Sequence, residues 1–372
     1  MIGTKIVATI GPASETPEIV ESLIRAGVNV FRFNFKHNSE EWHSEKMRMV
    51  AEISDRLGTP VAILADIPGL EFMKSWIDRC TADPVDYIAL SYIKHPDEII
   101  ELRKMLEERA CETHIVGKIE TNEALAYVEE IIHESHAIMI ARGDLGKALP
   151  IEEVPYYQKR IIHRCLEIGK PVITATEMLE SMIENDKPTR AEVSDVANAV
   201  YDLTDAVMLS AETALGKHPV AAVEVMKRVA SFTDKYRPNT NHAYVIDSQT
   251  DALTLAANDL ARQRVIEEQQ IKAFVIVTNT GQTAISLARL RPPVPVIAVT
   301  PSVKVRDQLI LVWGVLPLMF SPGEGEHEVK IEQLRETLYA SLLVKQGDHV
   351  IFLYGNEVGV SGKTNVLRIE ML

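Results

Sequence analysis

The residues best suited to chemistry lie at the ends of two successive strand-like segments. Lys118 and Glu120 close the apolar segment HIVGKIE, and Asp144 follows the next segment, AIMIARG. A charged i, i+2 pair that ends an apolar strand is costly to bury unless it is paired or binds a ligand. Two carboxylates beside a lysine suit Mg²⁺ (or Mn²⁺), with the lysine stabilising charge on an enolising 2-oxo acid. A purely structural ion pair is the alternative.

Two further polar residues occupy strand-like segments. Arg32 lies in VNVFRFNF, and its guanidinium has the shape and charge for a bidentate contact with a phosphate. A salt bridge to a carboxylate on a neighbouring strand is the alternative. Thr176, in PVITATE, could relay a proton through its hydroxyl, although threonine is also a common strand residue.

The elements that must position these residues alternate regularly up to about residue 235. Eight short, β-rich runs are separated by amphipathic helical stretches such as PEIVESLIRAG, which ends at a glycine. The runs lie at 5–11, 28–35, 61–67, 87–93, 114–120, 137–143, 171–177 and 205–211. Most are near-continuous in apolar residues, which is typical of parallel strands covered on both faces. Eight βα units in this length predict an α/β fold of the (β/α)₈ TIM-barrel type, with an open doubly wound sheet as the alternative.

Polar residues gather at the carboxyl ends of these runs, and in a (β/α)₈ barrel that rim holds the active site. They are Arg32, Asn34, Asp66, Ser91, Lys118, Glu120, Asp144, Thr176 and Glu212.

The sequence predicts two domains, a catalytic barrel over 1–235 and a smaller C-terminal α/β domain over 248–372. A polar segment at 234–250 is interpreted as the linker between them. In the second domain, TNTGQT (278–283) lies between a predicted strand and helix, and it could cradle a phosphate or form an ordinary turn. The segment GNEVGVSGKT does not fit a P-loop, because Glu357 stands where that motif needs glycine.

Composition narrows the possible partners. The 372 residues carry a net charge of −14, which argues against nucleic acid or an anionic membrane as the main partner. Three widely spaced cysteines suit a reducing compartment without disulfides or a zinc site. With no signal-peptide layout and no apolar run long enough to span a bilayer, we expect a cytoplasmic protein.

At these residues the chain resembles the pyruvate kinase family over nearly its whole length. The resemblance is carried, in the family's order, by TKIVATIGPAS, AGVNVFRFNF, GKIET, IMIARGDLG, GKPVITATEMLESMI, KPTRAEVSDVANAVYDLTDAVMLSAETALGKHPVAAVEVM, RPPVPVIAVTP, LVWGVLP and SGKTN.

The resemblance implies a role for each residue of the first cluster. Lys118 would stabilise the enolate of pyruvate, and Glu120 and Asp144 would hold the catalytic Mg²⁺. The backbone of Gly143 and the Thr176 hydroxyl would help to seat the substrate, phosphoenolpyruvate or pyruvate.

The resemblance also implies contacts with phosphate, nucleotide and effector. Arg32 would contact the transferring phosphoryl group, Asn34 and Asp66 would contribute to a monovalent-cation (K⁺) site, and His37 would lie near ADP or ATP. The C-terminal domain would be regulatory and the family's assembly a homotetramer. A phosphorylated effector would bind at Thr278, Thr280, Gly281 and Thr283.

The chain departs from the family pattern in a coherent way. The family inserts a β-domain as a lid between strands three and four, whereas here about twenty residues (68–84) join them. The family's lysine and arginine after strand three are replaced by Pro68 and by the Phe72–Met73 region. Three further family residues, a threonine, a serine and a glutamine, are replaced by Ile67, Lys36 and Glu177.

These losses weaken nucleotide clamping and leave the enolate-stabilising residues intact. Lid closure excludes water and completes a phosphate clamp, on which phosphoryl transfer depends. Three functions therefore stay open: a weakened pyruvate kinase, which we favour; a lidless lyase that enolises or decarboxylates 2-oxo acids such as oxaloacetate; and a non-catalytic phosphometabolite sensor. Lys36 could replace K⁺ with a tethered ammonium, which predicts K⁺-independent activity, or it could point into solvent or pair with Glu71.

Overall fold

The structure, a computed structural model, describes residues 3–237, 244–266, 271–321, 323, 327–355 and 364–372. The chain divides into two compact units, and the boundary between them falls within 238–243. Each unit has its own hydrophobic core.

The first unit is a closed barrel of eight parallel strands. Each strand pairs with the next one along the chain, and β8 pairs back onto β1. This closure confirms the predicted (β/α)₈ barrel and excludes the open doubly wound sheet. The strands are β1 (Lys5–Thr9), β2 (Val30–Asn34), β3 (Ala62–Ile67), β4 (Tyr87–Leu90), β5 (His114–Ile119), β6 (Ala137–Ala141), β7 (Val172–Ala175) and β8 (Ala206–Leu209).

Helices surround the barrel and bury one face each against it. The first helix ends as the sequence predicts, with Gly27 in the left-handed conformation, and the eighth ends in the same way at Gly169. The helices are α1 (Pro17–Ala26), α2 (Glu40–Leu57), α3 (Leu70–Cys80), α4 (Asp97–Glu107), α5 (Asn122–Ala126), α6 (Val128–Glu134), α7 (Arg142–Ala148), α8 (Val154–Ile168), α9 (Arg190–Tyr201), α10 (Ala211–Ala214) and α11 (Pro219–Tyr236).

The connection from β3 to β4 is an ordinary βα unit. Residues 68–86 are all described, and they contain the single helix α3 and no strand. Met73, Trp76 and Ile77 of α3 are fully buried in the barrel's outer core, and Trp76 packs against Phe35 with ring centroids 4.5 Å apart. The barrel wall at this point is therefore completed by the helix that directly follows β3.

The second unit is a five-stranded sheet with strand order β11-β10-β9-β12-β13, in which only the β12–β13 pair is antiparallel. This confirms the predicted C-terminal α/β domain. Its elements are α12 (Gln249–Ile266), β9 (Ile271–Val277), α13 (Gln282–Ala288), β10 (Val296–Thr300), α14 (Val303–Leu309), β11 (Val315–Met319), α15 (His327–Ala340), β12 (His349–Tyr354) and β13 (Val366–Met371).

Helices occupy both ends of the segment interpreted as a linker. Helix α11 extends through Tyr236, with the polar residues Thr233 and Asp234 of its last turns buried, and α12 begins at Gln249. Most of the GNEVGVSGKT segment, residues 356–363, lies outside the described residues.

Candidate functional site

The predicted rim residues converge where β2 to β5 end. The side chain of Asp66, at the end of β3, is the centre of the cluster. Arg32 of β2 donates to its Oδ2 from Nε at 2.8 Å and from Nη2 at 2.7 Å. Lys118 of β5 donates to its Oδ1 at 3.2 Å, and Ser91, just after β4, donates to the same oxygen at 3.0 Å. Parallel strands in register place these side chains together because their carboxyl ends meet at one rim.

Asp66 is ionised under all ordinary conditions. Burial by itself raises the pKa of this carboxyl, but the charges of Lys118 and Arg32 and the hydrogen bonds from Arg32 and Ser91 outweigh burial and lower it from 3.8 to about 2. Because both oxygens are bonded to cationic or hydroxyl groups, the structure shows Asp66 as a counter-ion for Arg32 and Lys118. Arg32 thus makes the salt bridge that the sequence left open as its alternative.

Lys118 is held on three sides in the barrel mouth. The residue is only 4% exposed, and its ammonium donates to Ser91 Oγ at 2.8 Å and lies 3.2 Å from Glu120 Oε2. Lys118 and Glu120 are two residues apart at the end of one strand and therefore point to the same side, which brings them into this contact. A lysine fixed in this way is a preorganised positive charge at the rim, which is what a developing enolate requires.

The two carboxylate oxygens of Glu120 are both buried and have different partners. Oε1 accepts the backbone N–H of Tyr92 at 2.6 Å, whereas Oε2, among the described residues, has no hydrogen-bond partner and only the ion pair with Lys118. A buried carboxylate oxygen with unused acceptor capacity fits a metal ligand.

The second predicted metal ligand lies on the neighbouring βα connection. Asp144 is in the first turn of α7 and forms an ion pair of 2.9 Å with Lys147, which is itself exposed. Within the described residues, no group of three or more His, Cys, Asp or Glu side chains could hold a metal ion. Two carboxylates completed by water and substrate oxygens are a Mg²⁺-type arrangement and need no such group.

Thr176 and Glu177 form a strained turn after β7. Both residues have positive φ, 67° and 54°, which is uncommon outside glycine. The Thr176 hydroxyl accepts the N–H of Gly143 at 2.7 Å, so two residues predicted to seat the substrate are directly bonded.

Arg142 holds this turn, and sequence reasoning missed it. Its Nη2 donates to the carbonyls of Thr176 and Glu177 at 2.7 and 3.0 Å, and its side chain forms an ion pair with Asp195. The sequence shows only an arginine at the end of the apolar run AIMIA, directly before Gly143 and Asp144, and nothing in it indicates the contacts with the turn. A cavity of about 380 Å³ adjoins Arg142 and Glu177.

Lys36 points towards the rim. Its ammonium donates to the Tyr92 hydroxyl at 2.6 Å and lies 4.2 Å from the centroid of the Tyr92 ring. Partial burial lowers the pKa of Lys36, but the hydrogen bond to Tyr92 and the charges of Glu120 and Asp66 raise it overall. Glu71, the alternative partner, pairs with Lys74 at 2.7 Å.

The remaining rim residues have local structural partners. Asn34 Oδ1 accepts the backbone N–H of Lys36 at 3.2 Å, and the carbonyl of the exposed His37 is 2.7 Å from His43 Nε2. Glu212 is buried and accepts the backbone N–H groups of Leu179 and Ser210.

In the second unit, the TNTGQT segment forms a compact βα turn. Thr278 Oγ1 accepts the N–H of Gly281, which has φ 80°, and Thr283 Oγ1 lies 2.7 Å from Thr364 Oγ1. Thr280 is exposed. The hydroxyls of Thr278 and Thr283 are thus engaged within the domain, as in the ordinary-turn interpretation.

No described helix combines the length and the apolar character needed to span a bilayer.

Family models match both units. A model described as pyruvate kinase, barrel domain, matches residues 1–83 and 74–223, and one described as pyruvate kinase, alpha/beta domain, matches 256–370. The two barrel segments meet in α3, between β3 and β4.

Curated relatives align along the whole chain. Pyruvate kinase 2 of Synechocystis sp. is 31% identical over 480 residues, and the alignment covers 99% of this chain and 79% of the relative. The pyruvate kinases of Bacillus licheniformis and Sporosarcina psychrophila are 31% and 32% identical, with 99% of this chain and 80% of each relative covered. The 480 aligned positions exceed the 372 residues of this chain, so the excess lies opposite gaps in it.

Proposed function

This chain belongs to the pyruvate kinase family, a family of phosphotransferase enzymes, and on that premise we propose that it transfers a phosphoryl group between phosphoenolpyruvate and ADP, giving pyruvate and ATP. The observation that carries the proposal is the placement of Lys118. It is buried at the rim and fixed by Asp66, Ser91 and Glu120, and a positive charge held there would stabilise an enolate oxygen bound beside it. A purely binding protein has no need of such a lysine.

Glu120 and Asp144 are the residues that would hold Mg²⁺. Glu120 Oε2, which has an ion pair with Lys118 but no hydrogen bond, and the carboxylate of Asp144 lie on two adjacent βα units and fit an ion that takes its other ligands from water and substrate. The ion, when bound, supplies charge neutralisation for the phosphoryl and enolate oxygens. Asp66 and Ser91 would still hold the ammonium of Lys118 if the ion took over its contact with Glu120 Oε2.

Arg32 is the proposed contact for the transferring phosphoryl group. Asp66 takes its Nε and one Nη2 hydrogen, and Nη1 donates to Thr9 Oγ1 at 3.0 Å. Three of the five guanidinium N–H donors fix its plane, and about two remain for a phosphate oxygen. Thr176, bonded to the amide of Gly143, positions the turn on which the substrate carboxylate would rest.

The short β3–β4 connection weakens the nucleotide half of the reaction. Only α3 lies between these strands, so this connection contributes no clamp over ADP. The same observation favours a second candidate, enolisation or decarboxylation of a 2-oxo acid, because the cluster around Lys118 is complete without any contact from a lid.

The proposed function also includes a replacement for K⁺, a binding site for an effector and an oligomeric assembly. Lys36, within electrostatic reach of Glu120 and Asp66, would act as a tethered cation in place of K⁺. Three further proposals rest on family resemblance. A phosphorylated effector would bind at the TNTGQT segment (278–283), His37 would lie near the nucleotide, and the protein would form a homotetramer.

Two signals from one purified preparation with Mg²⁺ test the function. ADP-dependent pyruvate formation from phosphoenolpyruvate reports phosphoryl transfer, and deuterium uptake into the pyruvate methyl group reports enolisation. Both signals are expected, with the first slow. Methyl exchange without pyruvate formation would favour the second candidate. The absence of both signals would contradict any catalytic function.

A matched pair of lysine variants controls the experiment. Lys118→Met should abolish both signals because it removes the charge beside the enolate. Lys74→Met removes an exposed lysine that pairs with Glu71 on α3, and it should leave both signals intact. Equal activity in the two variants would refute the assignment of Lys118.

A further inference from the structure

Tyr92 occupies an unusual conformation directly behind the site. The β4 ladder ends at Leu90, the N–H of Ser91 still bonds to the carbonyl of Ile67, and Tyr92 then turns into the left-handed region with φ 58°. Aromatic residues rarely adopt positive φ, and such strain persists only where the surroundings enforce it. The side chain is nearly half exposed, so burial of the ring does not explain the conformation.

The turn gives Tyr92 two polar contacts, one from its backbone and one from its side chain. Its N–H is the first amide beyond the ladder, and it donates to Glu120 Oε1 at 2.6 Å. Its hydroxyl accepts from Lys36 Nζ at 2.6 Å. One residue therefore joins the proposed metal ligand to the proposed tethered cation.

The backbone contact determines which oxygen Glu120 offers. With Oε1 bonded to the Tyr92 amide, Oε2 is left without a hydrogen bond at the rim. Partners that orient a ligating carboxylate in this way typically change metal affinity about 10- to 100-fold when they are lost.

The side-chain contact determines where the Lys36 charge lies. A lysine side chain in solvent samples many rotamers, and the hydrogen bond to a tyrosine that also lies under the ammonium restricts it to the side of the rim near Glu120 and Asp66. A positive charge fixed there attracts the phosphate of an incoming substrate.

We propose that Tyr92 is a positioning residue with two separable tasks: its strained backbone amide orients Glu120 for the metal, and its hydroxyl holds Lys36 for the phosphate of the substrate. The proposal rests on the proposed function for the identities of metal and substrate. Tyr92 itself is not assigned any contact with either.

Binding of Mn²⁺ alone tests the backbone task. Tyr92→Gly and Tyr92→Val both remove the ring and keep the amide, but glycine accepts positive φ and valine strongly resists it. We expect the Mn²⁺ dissociation constant, measured by electron paramagnetic resonance, to stay within about twofold of wild type in Tyr92→Gly and to rise about tenfold in Tyr92→Val. Equal affinities in the two variants would overturn the backbone task.

Folding of the variants is checked by circular dichroism, and Tyr92→Ala covers a failure of the valine variant. Alanine tolerates positive φ less well than glycine, so its dissociation constant should lie about threefold above that of Tyr92→Gly. An alanine variant equal to the glycine variant would count against the proposal in the same way.

Binding of phosphoenolpyruvate in the presence of Mn²⁺, measured by calorimetry, tests the side-chain task. Tyr92→Phe and Lys36→Met should each raise the dissociation constant of phosphoenolpyruvate by about three- to tenfold and have no larger effect when combined, and Tyr92→Phe should leave Mn²⁺ affinity unchanged. This task would be overturned if the effects of the two substitutions on the dissociation constant of phosphoenolpyruvate multiplied in the double variant, or if Tyr92→Phe had no effect on it.

The Mn²⁺ and phosphoenolpyruvate measurements distinguish a failure of the Tyr92 tasks from a failure of the proposed function. Wild-type protein that binds Mn²⁺ but not phosphoenolpyruvate would overturn the proposed substrate and the side-chain task, while the glycine–valine comparison would still decide the backbone task. Wild-type protein that binds both ligands, with no difference between Tyr92→Gly and Tyr92→Val, would overturn the backbone task alone.

Discussion

Replacing Asp66 with asparagine should destabilise the barrel in a pH-dependent way. The substitution keeps the shape of the side chain but removes the negative charge that Arg32 and Lys118 share. The pKa of Asp66 is lowered from 3.8 to about 2 in the folded protein, so the ionised carboxylate contributes about 2 kcal/mol to the free energy of unfolding.

The sign of the pH dependence follows from the lowered pKa. This stabilisation is complete above pH 3.8, the ordinary value, and it disappears as the pH falls through about 2. About half of it, roughly 1 kcal/mol, should be gone at pH 3. A protonated Asp66 resembles asparagine, so the difference in unfolding free energy between wild type and Asp66→Asn should shrink by that amount between pH 6 and pH 3.

Urea unfolding of the barrel transition at both pH values provides the assay, with each transition fitted separately because the chain has two units. Asp186→Asn, at an exposed position, is the control and should show no such change. A wild-type-to-Asp66→Asn difference that is the same at pH 6 and pH 3 would refute the charge-sharing account of the cluster.

Three other perturbations have defined outcomes. Activity should be unchanged when K⁺ is added to a Na⁺-free assay, and Lys36→Met should then become K⁺-dependent; strong K⁺ activation of the wild type would contradict the tethered-cation role. Arg142→Lys cannot reproduce the paired contacts with the carbonyls of Thr176 and Glu177, so steady-state kinetics should show kcat lowered about tenfold. An unchanged kcat would mean that the turn keeps its conformation without these contacts. Trp76→Ala empties a fully buried site on α3 and should lower the unfolding free energy by about 3–5 kcal/mol without changing Mn²⁺ affinity; a loss below 1 kcal/mol would show that α3 packs loosely.

Much of the fold could be predicted because burial leaves a direct trace in the sequence. Each of the eight barrel strands falls inside a near-continuous apolar run, and the glycine after α1 ends that helix as expected. Closure could not be predicted from spacing, because it depends on the pairing of β8 with β1 between residues some 200 positions apart. The segment interpreted as a linker, 234–250, overlaps the last residues of α11 and the first residues of α12.

The site could be predicted in its residue types and only partly in its contacts. Lys118, Glu120 and Asp144 stand out because charge at the end of an apolar strand is conspicuous. The interlocking of Arg32 with Asp66 was one of two possibilities, and only the strand register decides between them. The positive φ of Tyr92 could not be predicted from the sequence, because a tyrosine, unlike a glycine, does not indicate a left-handed backbone conformation. Arg142 bonds to main-chain carbonyls of a distant turn, which side-chain chemistry cannot identify.

The charge balance of the rim also bears on the order in which the protein assembles. Asp66 and Glu120 carry two negative charges, and Arg32 and Lys118 carry two positive ones within the same contact network. This cluster is neutral by itself, so the chain can complete its barrel before any divalent ion arrives. If Mg²⁺ binds as proposed, it would bind to a barrel that is already folded, in contrast to proteins whose ligands repel one another until an ion joins them. Under the proposed function, the protein without Mg²⁺ would therefore be inactive but folded, and adding the ion would restore activity without refolding.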